Sequence, residues 1–432
     1  MNRILCSTGA LLGRANGRDY TLLADLEDKL ECDGFELMMY DDWYEKADAV
    51  SAFLNGMKKP FVTFHVEKGV GDMISRNAEG DTEKAVELFE KNCELAQAIG
   101  SEKLVLHLWS GYDSDKDMPH CIEMYARCRD IAQKHKILLT VENVVCNQHD
   151  PISNMREVLK SFPDAAFTYD TKMAEFHGQL MDIASDENRP LWERVVHLHI
   201  NDYKGGVMDW SNLKTLHPGD GQIDFHRFFD FVRGSGYKGD ITIESTSFGK
   251  TDGIIDINKM NCSLAKAREL ARPVKEISEE NILECVKVIR SSFLTVAVQF
   301  GFTQENAPRF TAFATDENRI KWHMYGEHRR MFGYFKDEKM VGYYSLLPND
   351  KQECELSNLC VLPEHRHQGI GEELLLDAFV RARELGCTKM EIGIVEENRV
   401  LRKWYEGYGF IHRGTEKFDF FPFTCGYMTK EL

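Results

Sequence analysis

Eight short runs of apolar and β-branched residues, separated by longer amphipathic stretches, dominate the first 272 residues of the chain. The intervening stretches, such as residues 82–93, place an apolar residue at every third or fourth position, which is typical of helices that cover one face of a sheet. Eight strands that alternate with helices over about 250 residues predict a parallel (β/α)8 barrel, the TIM barrel of the α/β class. A doubly wound sheet is the alternative, although it more often has fewer strands. The predicted strands are Ile4–Ser7, Phe35–Met39, Phe61–Val66, Leu104–Leu108, Ile137–Glu142, Ala166–Asp170, Val195–Ile200 and Ile241–Glu244.

A different pattern begins after Pro273, which follows Leu264–Arg272, the end of the last predicted barrel helix. A proline cannot continue a helix, and the residue before it is biased toward extended backbone. Ser278 then suits the N-cap of a new helix, predicted from Ile282 to Phe293. Because 432 residues exceed what one core usually organises, we predict two domains, at residues 1–272 and 274–432.

Composition excludes several classes of function. The 12 cysteines are scattered without a CxxC pair, which argues against disulfides and predicts a reducing, cytoplasmic location. The net charge of −17 argues against nonspecific binding to nucleic acid or to an anionic membrane. No apolar run reaches the length of a membrane span, and the N-terminus resembles a first strand and loop more than a signal peptide. The sequence leaves a homo-oligomeric state open.

Residues 339–362 contain two predicted extended runs. The segment ArgHisGlnGlyIleGly at residues 366–371 follows these runs and precedes a predicted helix. That helix has a regularly spaced apolar face and ends at Gly386, which suits a left-handed cap. A glycine-containing turn before a helix directs backbone N–H groups toward a ligand at the positive end of the helix. The segment is neither a Walker A loop nor a GxGxxG fingerprint, but it suits a pyrophosphate.

The pattern Arg/Gln-x-x-Gly-x-Gly/Ala in this segment resembles that of the GNAT acetyltransferases. A second element supports the resemblance, because Asn398, Tyr405 and Gly409-Phe410 follow in the order and spacing of that family. The resemblance implies an α+β acyl-CoA N-acyltransferase domain, with acetyl-CoA as co-substrate and an amine as acceptor. It does not identify the acceptor.

The same resemblance implies roles for individual residues. Tyr405 would protonate the departing thiolate of coenzyme A; the alternative is a core aromatic, for which the adjacent Trp404 is the better candidate. A base must take the proton of the attacking amine, and of Glu353 and Glu355 in the preceding strand we favour Glu355, with a solvated strand face as the alternative. The implied cofactor contacts are Leu359, Val361, Arg366, His367, Gln368, Gly369, Ile370, Gly371 and Asn398.

In the predicted barrel, the last four strands each end in a side chain that can bind a metal: Glu142, Asp170, His199 and Glu244. Chemistry in such barrels is found at the C-terminal ends of the strands. Three carboxylates and one imidazole suit Mn²⁺, Mg²⁺ or Co²⁺, with Zn²⁺ also accepted. Four such residues at four strand ends are unexpected by chance, whereas each one alone could be an ordinary polar residue.

These residues resemble the xylose-isomerase-like sugar phosphate isomerases and epimerases. The resemblance includes His-x-His-x-x-Asp at 197–202 and continues through residues 217–225 and 234–244. It implies a metal-dependent isomerase or epimerase of a sugar, sugar phosphate or polyol, in which Glu142 and Glu244 remove and return a proton. It implies His199 as the ligand, leaving His197 as an interior histidine. His65 and His107 are candidate substrate contacts, with a structural role as the alternative.

One departure from that family follows the sixth predicted strand. The family continues Asp-x-x-His, whereas this chain has Asp170-Thr171-Lys172-Met173. A thioether therefore stands where an imidazole is expected, and His177 is the nearest histidine that could compensate. The substrate and the reaction type are open at this point.

Three hypotheses remain for the whole chain. The first is a bifunctional enzyme that joins the isomerase or epimerase to the acetyltransferase. The second is an acetyltransferase whose barrel is a non-catalytic ligand-binding or sensing module. The third is a hydrolytic barrel, like the endonuclease-IV-type phosphoesterases, placed last because such enzymes need a cluster of additional histidine ligands that the sequence does not predict.

Overall fold

The computed structural model describes residues 2–336 and 339–432 of the chain. The chain divides into two compact units, Met1–Ala271 and Arg272–Leu432. Each unit has its own core of buried apolar side chains. Among the described residues, no helix combines the length and the apolar character needed to cross a membrane.

Eight parallel strands form a closed barrel in the first unit. Each strand pairs with the next one along the chain, and the last strand pairs with the first through Ile4 and Ile241. The predicted barrel is therefore confirmed, and the doubly wound alternative is wrong because its sheet would remain open. The strands are β1 Ile4–Ser7, β2 Gly34–Met38, β3 Phe61–His65, β4 Lys103–Leu106, β5 Leu138–Glu142, β6 Ala166–Asp170, β7 Val195–Ile200 and β8 Asp240–Ile243.

Helices follow the strands and bury their apolar faces against the barrel. Several of them begin at aspartate N-caps; Asp117 and Asp150, for example, accept hydrogen bonds from the backbone N–H groups of His120 and Ser153. The helices are α1 Leu22–Leu26, α2 Ala47–Leu54, α3 Lys68–Arg76, α4 Asp81–Ala98, α5 Met118–Lys134, α6 Pro151–Ser161, α7 Thr171–Phe176, α8 Arg189–Trp192, α9 Phe225–Gly234 and α10 Ile257–Ala271.

Buried Asp202 organises the loop after β7. Its carboxylate accepts hydrogen bonds from the backbone N–H groups of Gly219, Gly221 and Ile223, at 2.7–3.0 Å. The two sequence motifs at 197–202 and 217–225 are thus bonded to each other, and the loop is fixed beside the C-terminal end of the barrel.

The second unit is a seven-stranded sheet with helices, as predicted for the α+β class. The strand order is β14-β15-β13-β12-β11-β10-β9, and the pair β12–β13 is parallel whereas the other pairs are antiparallel. Its elements are β9 Val274–Glu276, α11 Ile282–Phe300, α12 Thr311–Ala314, α13 Glu317–Lys321, β10 Arg330–Lys336, β11 Lys339–Pro348, β12 Glu353–Val361, α14 Ile370–Glu384, β13 Lys389–Val395, α15 Arg399–Gly407, β14 Ile411–Lys417 and β15 Thr424–Glu431.

Two features of this unit open a cleft in the sheet. The pairing of β12 with β13 ends at Glu355 and Glu391, so the two strands separate beyond that point. Asn358 has a φ of 55° at a break in the register between β11 and β12, which marks a bulge in β12. Helix α11 is longer than predicted; it continues to Phe300 and ends where Gly301 adopts a φ of 70°.

Candidate functional site

The four predicted metal ligands converge at the C-terminal end of the barrel. One donor atom from each of Glu142, Asp170, His199 and Glu244 lies within 4.8 Å of the others. Glu142 and Asp170 are the last residues of β5 and β6, His199 is in β7, and Glu244 directly follows β8. Because parallel strands end at the same rim, residues far apart in sequence become neighbours. We refer to these four residues as the ligand group.

Direct contacts hold the ligand group together. Nδ1 of His199 lies 3.1 Å from Oε1 of Glu142 and 3.4 Å from Oε2 of Glu244. The amide nitrogen of Asn201 donates to Asp170 at 2.8 Å and to Glu244 at 3.3 Å. Asn201 was not predicted as a site residue, although an amide two residues after a ligand at a strand end is a pattern that the sequence contains.

Burial and like charges perturb the ionisation of these groups. Burial raises the pKa of Asp170 to about 6, and the nearby carboxylates of Glu142 and Glu244 act in the same direction. Burial would lower the pKa of His199, but Glu244, Glu36 and Glu142 hold it well above its usual range. A buried site with this excess of carboxylates favours the binding of a cation.

One carboxylate oxygen tests whether the residues fit a metal. Oε2 of Glu142 is buried and receives no hydrogen bond of acceptable geometry from any described residue. Nε2 of His107 nevertheless lies 2.7 Å from it, and Nε2 of His65 lies 3.4 Å from it. Such an oxygen is costly unless something binds it, and the oxygen-rich donor set fits Mn²⁺, Mg²⁺ or Co²⁺.

His65, His107 and Glu142 form a second set of donors that could hold a metal. Nδ1 of His65 lies 2.9 Å from the carbonyl oxygen of Val66, so an N–H there leaves the Nε2 lone pair facing Glu142. Burial lowers the pKa of His107 to about 4. Both histidines were predicted as substrate contacts, and this cluster was not predicted. A cavity of about 850 Å³ also reaches His107, so contact with a substrate remains a prediction.

Glu36 in β2 was not predicted as a site residue. Its Oε2 lies 2.9 Å from Nε2 of His197 and 2.9 Å from Nε2 of His199, and all three side chains are fully buried. The detectable pattern was a single carboxylate inside the apolar strand GlyPheGluLeuMet.

The departure at Met173 is not compensated by His177. Nε2 of His177 accepts a hydrogen bond from the backbone N–H of Cys146 at 3.0 Å, which occupies its lone pair. The suggestion that His177 replaces the missing imidazole is therefore wrong. Lys172 is buried, and its ammonium lies 3.2 Å from the hydroxyl of Thr215.

The loop at residues 366–371 has an open face. His367 and Gly369 have positive φ values of 62° and 83°, which turn the backbone before α14. A Cβ at Gly369 would meet no atom within 4 Å, and one at Gly371 would meet atoms of Trp404 and Val361 no closer than 3.9 Å. The space beside the start of α14 is therefore free for a ligand, as a pyrophosphate-binding loop requires.

The side chain of Arg366 points to helix α11 instead of the open face. Its guanidinium donates to the carbonyl oxygens of Val361 and Ser292 and to the hydroxyl of Thr295, at 2.9–3.1 Å. Arg366 therefore holds the loop against α11. The side chain of Lys336 lies 3.3 Å from Gln368 and places a cation next to the loop that the sequence analysis did not name.

A cavity of about 940 Å³ occupies the cleft between β12 and β13. Glu355, Leu359, Asn398 and Tyr405 line it. The side-chain oxygen of Asn398 caps α15 by accepting from the backbone N–H of Leu401 at 3.2 Å. This cap leaves the amide nitrogen of Asn398 available to a ligand. Predicted residues from β12 and from the N-cap and body of α15 therefore meet at one cavity.

Tyr405 is buried, whereas Trp404 is half-buried, so the expectation that Trp404 is the core aromatic is wrong. Tyr405 packs on Phe410 with ring centroids 5.3 Å apart and also lines the cavity. Its hydroxyl has no hydrogen-bond partner within residues 2–336 and 339–432. Burial raises the pKa of Tyr405, which keeps the phenol protonated.

The two candidate bases differ in position. Glu355 lines the cavity and contacts the hydroxyl of Ser357 and the guanidinium of Arg329, the latter at 3.2 Å. Glu353 forms an ion pair with Lys389 at 3.0 Å.

Comparison with known families extends this description. The model of the xylose isomerase-like TIM barrel matches residues 25–268, which is more than half of the chain. The chain belongs to this xylose isomerase-like family. The model of the acetyltransferase (GNAT) family matches residues 300–410. The protein thus joins a xylose isomerase-like barrel to a GNAT domain, as the sequence motifs predict.

Curated relatives match the GNAT part. An uncharacterized N-acetyltransferase of Mycobacterium tuberculosis is 27% identical over 116 residues, which cover 26% of this chain and 74% of the relative. The uncharacterized N-acetyltransferase YvbK of Bacillus subtilis is 29% identical over 97 residues, covering 22% of this chain and 62% of YvbK.

Solved structures resemble each part of this xylose isomerase-like protein. A D-tagatose 3-epimerase-like protein is 18% identical and covers 62% of this chain and 96% of its own, with a TM-score of 0.48. The PaiA N-acetyltransferase of Thermoplasma acidophilum, in complex with coenzyme A, is 20% identical and covers 37% of this chain and 98% of its own, with a TM-score of 0.30.

Proposed function

We propose that the protein is a bifunctional enzyme. Its barrel would be a metal-dependent isomerase or epimerase of a sugar, sugar phosphate or polyol, and its GNAT domain would transfer an acetyl group from acetyl-CoA to an amine. The observation that carries the proposal is the convergence of the ligand group within 4.8 Å, beside a buried oxygen of Glu142 that lacks a hydrogen bond.

The barrel reaction is a proton transfer at a carbon next to a carbonyl. The ligand group would hold a divalent metal, which would supply Lewis-acid stabilisation of the negative charge that develops when the proton leaves carbon. One of Glu142 and Glu244 takes the proton from carbon, and a proton returns to the neighbouring carbon or to the opposite face. Asn201 orients Glu244 through the hydrogen bond at 3.3 Å, and burial of the surrounding groups limits the access of water.

Solvent deuterium incorporation tests this reaction. Ketoses and inososes are incubated with the full chain and Mn²⁺ in D₂O, and exchange at carbon is followed by NMR. We expect exchange with at least one substrate, and its loss in Glu142→Gln and in Glu244→Gln. Asp164→Asn is the control, because Asp164 is exposed and pairs with Arg129 outside the ligand group and outside the cavity that reaches His107. Absence of bound metal in the wild-type protein would refute the proposal.

The GNAT domain would catalyse attack of a neutral amine on the thioester. The amine nitrogen forms a bond to the acetyl carbon while the carbon–sulfur bond breaks. Glu355 takes the proton from nitrogen, and Tyr405 gives a proton to the thiolate. The backbone N–H groups of Leu359 and Val361, on the edge that β12 exposes beyond its pairing with β13, would polarise the thioester carbonyl.

The alternative is an acetyltransferase whose barrel only binds a ligand. It predicts that the barrel binds metal or sugar without any exchange at carbon, while acetyl transfer responds to that ligand. Acetyl transfer is measured in the presence of the same substrates and Mn²⁺, alongside deuterium exchange. The two measurements together separate the two hypotheses.

A second candidate function is hydrolysis of a phosphoester at a dinuclear centre. The observation that favours it is the set of His65 and His107, which shares Glu142 with the ligand group. Two metals in such an arrangement can stabilise the attacking and leaving oxygens of a displacement. Hydrolysis of bis(p-nitrophenyl) phosphate with Co²⁺, lost in His107→Asn, would support it, and a wild-type protein that binds a single Co²⁺ would exclude it.

A further inference from the structure

Glu36 makes a contact that crosses the interior of the barrel. Its strand, β2, is separated from β7 by β1 and β8. The carboxylate nevertheless reaches His197 and His199 of β7, and a single oxygen, Oε2, lies 2.9 Å from Nε2 of each ring. The contact therefore depends on closure of the barrel and not on neighbouring strands.

The surroundings of Glu36 are those of a core position. Glu36 is fully buried, and its second oxygen, Oε1, has no hydrogen-bond partner among the described residues. Burying a carboxylate with an unused oxygen costs free energy, which an apolar residue of similar size would avoid. This cost is offset if the two hydrogen bonds to the histidines contribute to the geometry of the ligand group.

The bond to Glu36 determines which nitrogen of His199 faces the ligand group. Because Nε2 is bonded to Glu36, Nδ1 is the nitrogen left for the site. Nδ1 indeed lies 3.1 Å from Glu142 and 3.4 Å from Glu244. A histidine ligand usually donates its other N–H to a carboxylate, which fixes the tautomer and the ring orientation.

We propose that Glu36 is a positioning residue that orients His199 and makes Nδ1 its ligand atom. His197 is held by the same oxygen and by the hydroxyl of Thr242, which lies 3.0 Å from its Nε2. His197 contacts the carboxylate of Glu36 and does not bind the metal. This inference rests on the proposed metal dependence of the barrel.

Titration calorimetry of the full chain with Co²⁺ tests the inference. Glu36→Gln keeps the size of the side chain but removes its charge, and we expect the affinity to fall about 10- to 100-fold, as for other residues behind a metal ligand. Thr242→Val is the matched control, because it removes a hydroxyl that contacts His197 in the same buried layer and leaves the bond between Glu36 and His199 in place. We expect the Co²⁺ affinity of Thr242→Val to remain within about twofold of wild type. That change is smaller than a tenfold change, which corresponds to 1.4 kcal/mol. An unchanged affinity in Glu36→Gln would overturn the inference.

A second measurement needs no variant, so it holds even if Glu36→Gln folds poorly. Long-range ¹H–¹⁵N correlation spectra of the histidines, with and without Zn²⁺, show which ring nitrogen carries hydrogen and which binds metal. We expect Zn²⁺ on Nδ1 and a slowly exchanging N–H on Nε2 of His199; ligation through Nε2 would overturn the inference. Failure of the wild-type protein to bind any metal would instead refute the proposed function, and the positioning role with it.

Discussion

Nε2 of His107 lies 2.7 Å from Oε2 of Glu142, the carboxylate whose other oxygen faces His199. Glu142 is thus shared by two sets of donors on opposite sides of its carboxylate. Loss of Glu142 should disturb both sets, whereas loss of His107 should disturb one.

The first prediction concerns metal binding by these sets. We expect Glu142→Gln to weaken Co²⁺ binding by about 100-fold or more. This effect exceeds the one typical of residues that only hydrogen-bond to a metal ligand. His107→Asn should retain the metal bound by the ligand group. Calorimetry and elemental analysis measure both. Loss of all metal in His107→Asn would contradict the assignment of the ligand group.

The second prediction concerns the loop before α14. A methyl group at Gly371 meets no atom of the described chain closer than 3.9 Å, so Gly371→Ala should fold normally. It would extend into the space proposed for the pyrophosphate, and we expect acetyl-CoA affinity to fall about tenfold, or 1.4 kcal/mol. Gly407→Ala is the control, because a Cβ there also meets nothing within 4 Å. Equal affinities of the two variants in calorimetry would argue against the loop assignment.

The third prediction concerns Tyr405. Tyr405→Phe removes a hydroxyl that lacks a partner among the described residues while keeping the packing on Phe410. We expect kcat of acetyl transfer to fall about 100-fold, in the range of a lost general acid, with KM for acetyl-CoA nearly unchanged. Tyr408→Phe, at the C-cap of the same helix, should have little effect. A normal kcat in Tyr405→Phe would leave Tyr405 with a packing role alone.

The fourth prediction separates the two carboxylates of β12. Glu355 lines the cavity, whereas Glu353 is paired with Lys389. Glu355→Gln should lower kcat/KM about 100-fold if Glu355 takes the proton of the amine. Glu353→Gln should change kcat/KM by no more than about twofold, because Glu353 is paired with Lys389 and does not line the cavity. The reverse order in steady-state assays would assign the base to Glu353.

The fifth prediction concerns stability at acid pH. Burial would raise the pKa of Asp115, but hydrogen bonds from Gln148, Asn154, Asn147 and His149 lower it to about 2. Because the folded pKa lies below the unfolded value, the stabilisation is complete above about pH 4 and is lost as pH falls toward 2. We expect Asp115→Asn to lower the free energy of unfolding by about 1–2 kcal/mol at neutral pH. The difference from wild type should vanish near pH 2 in urea titrations; a difference independent of pH would contradict the assignment.

The sequence alone determined the architecture and much of the site. Periodicity of apolar residues predicts the strands and helices because it reports which face of each element is buried. Eight strands with helices between them permit few topologies, and in a parallel barrel every strand ends at the same rim. Placing Glu142, Asp170, His199 and Glu244 at strand ends therefore sufficed to bring them together. The loop at 366–371 was likewise recognisable because its backbone geometry depends on local residues.

Side-chain partners were decided only by the tertiary structure. Glu36 and His199 are 163 positions apart in sequence and are in contact across the barrel. His65 and His107, which were predicted only as substrate contacts, lie beside Glu142. The guanidinium of Arg366 donates a hydrogen bond to helix α11. Tyr405, and not Trp404, is the buried aromatic residue. Periodicity specifies the buried face of an element but not which atom of a distant element a polar group will contact. That choice depends on the closure of the barrel and on the packing of helices against the sheet, which bring together groups with no relation in sequence.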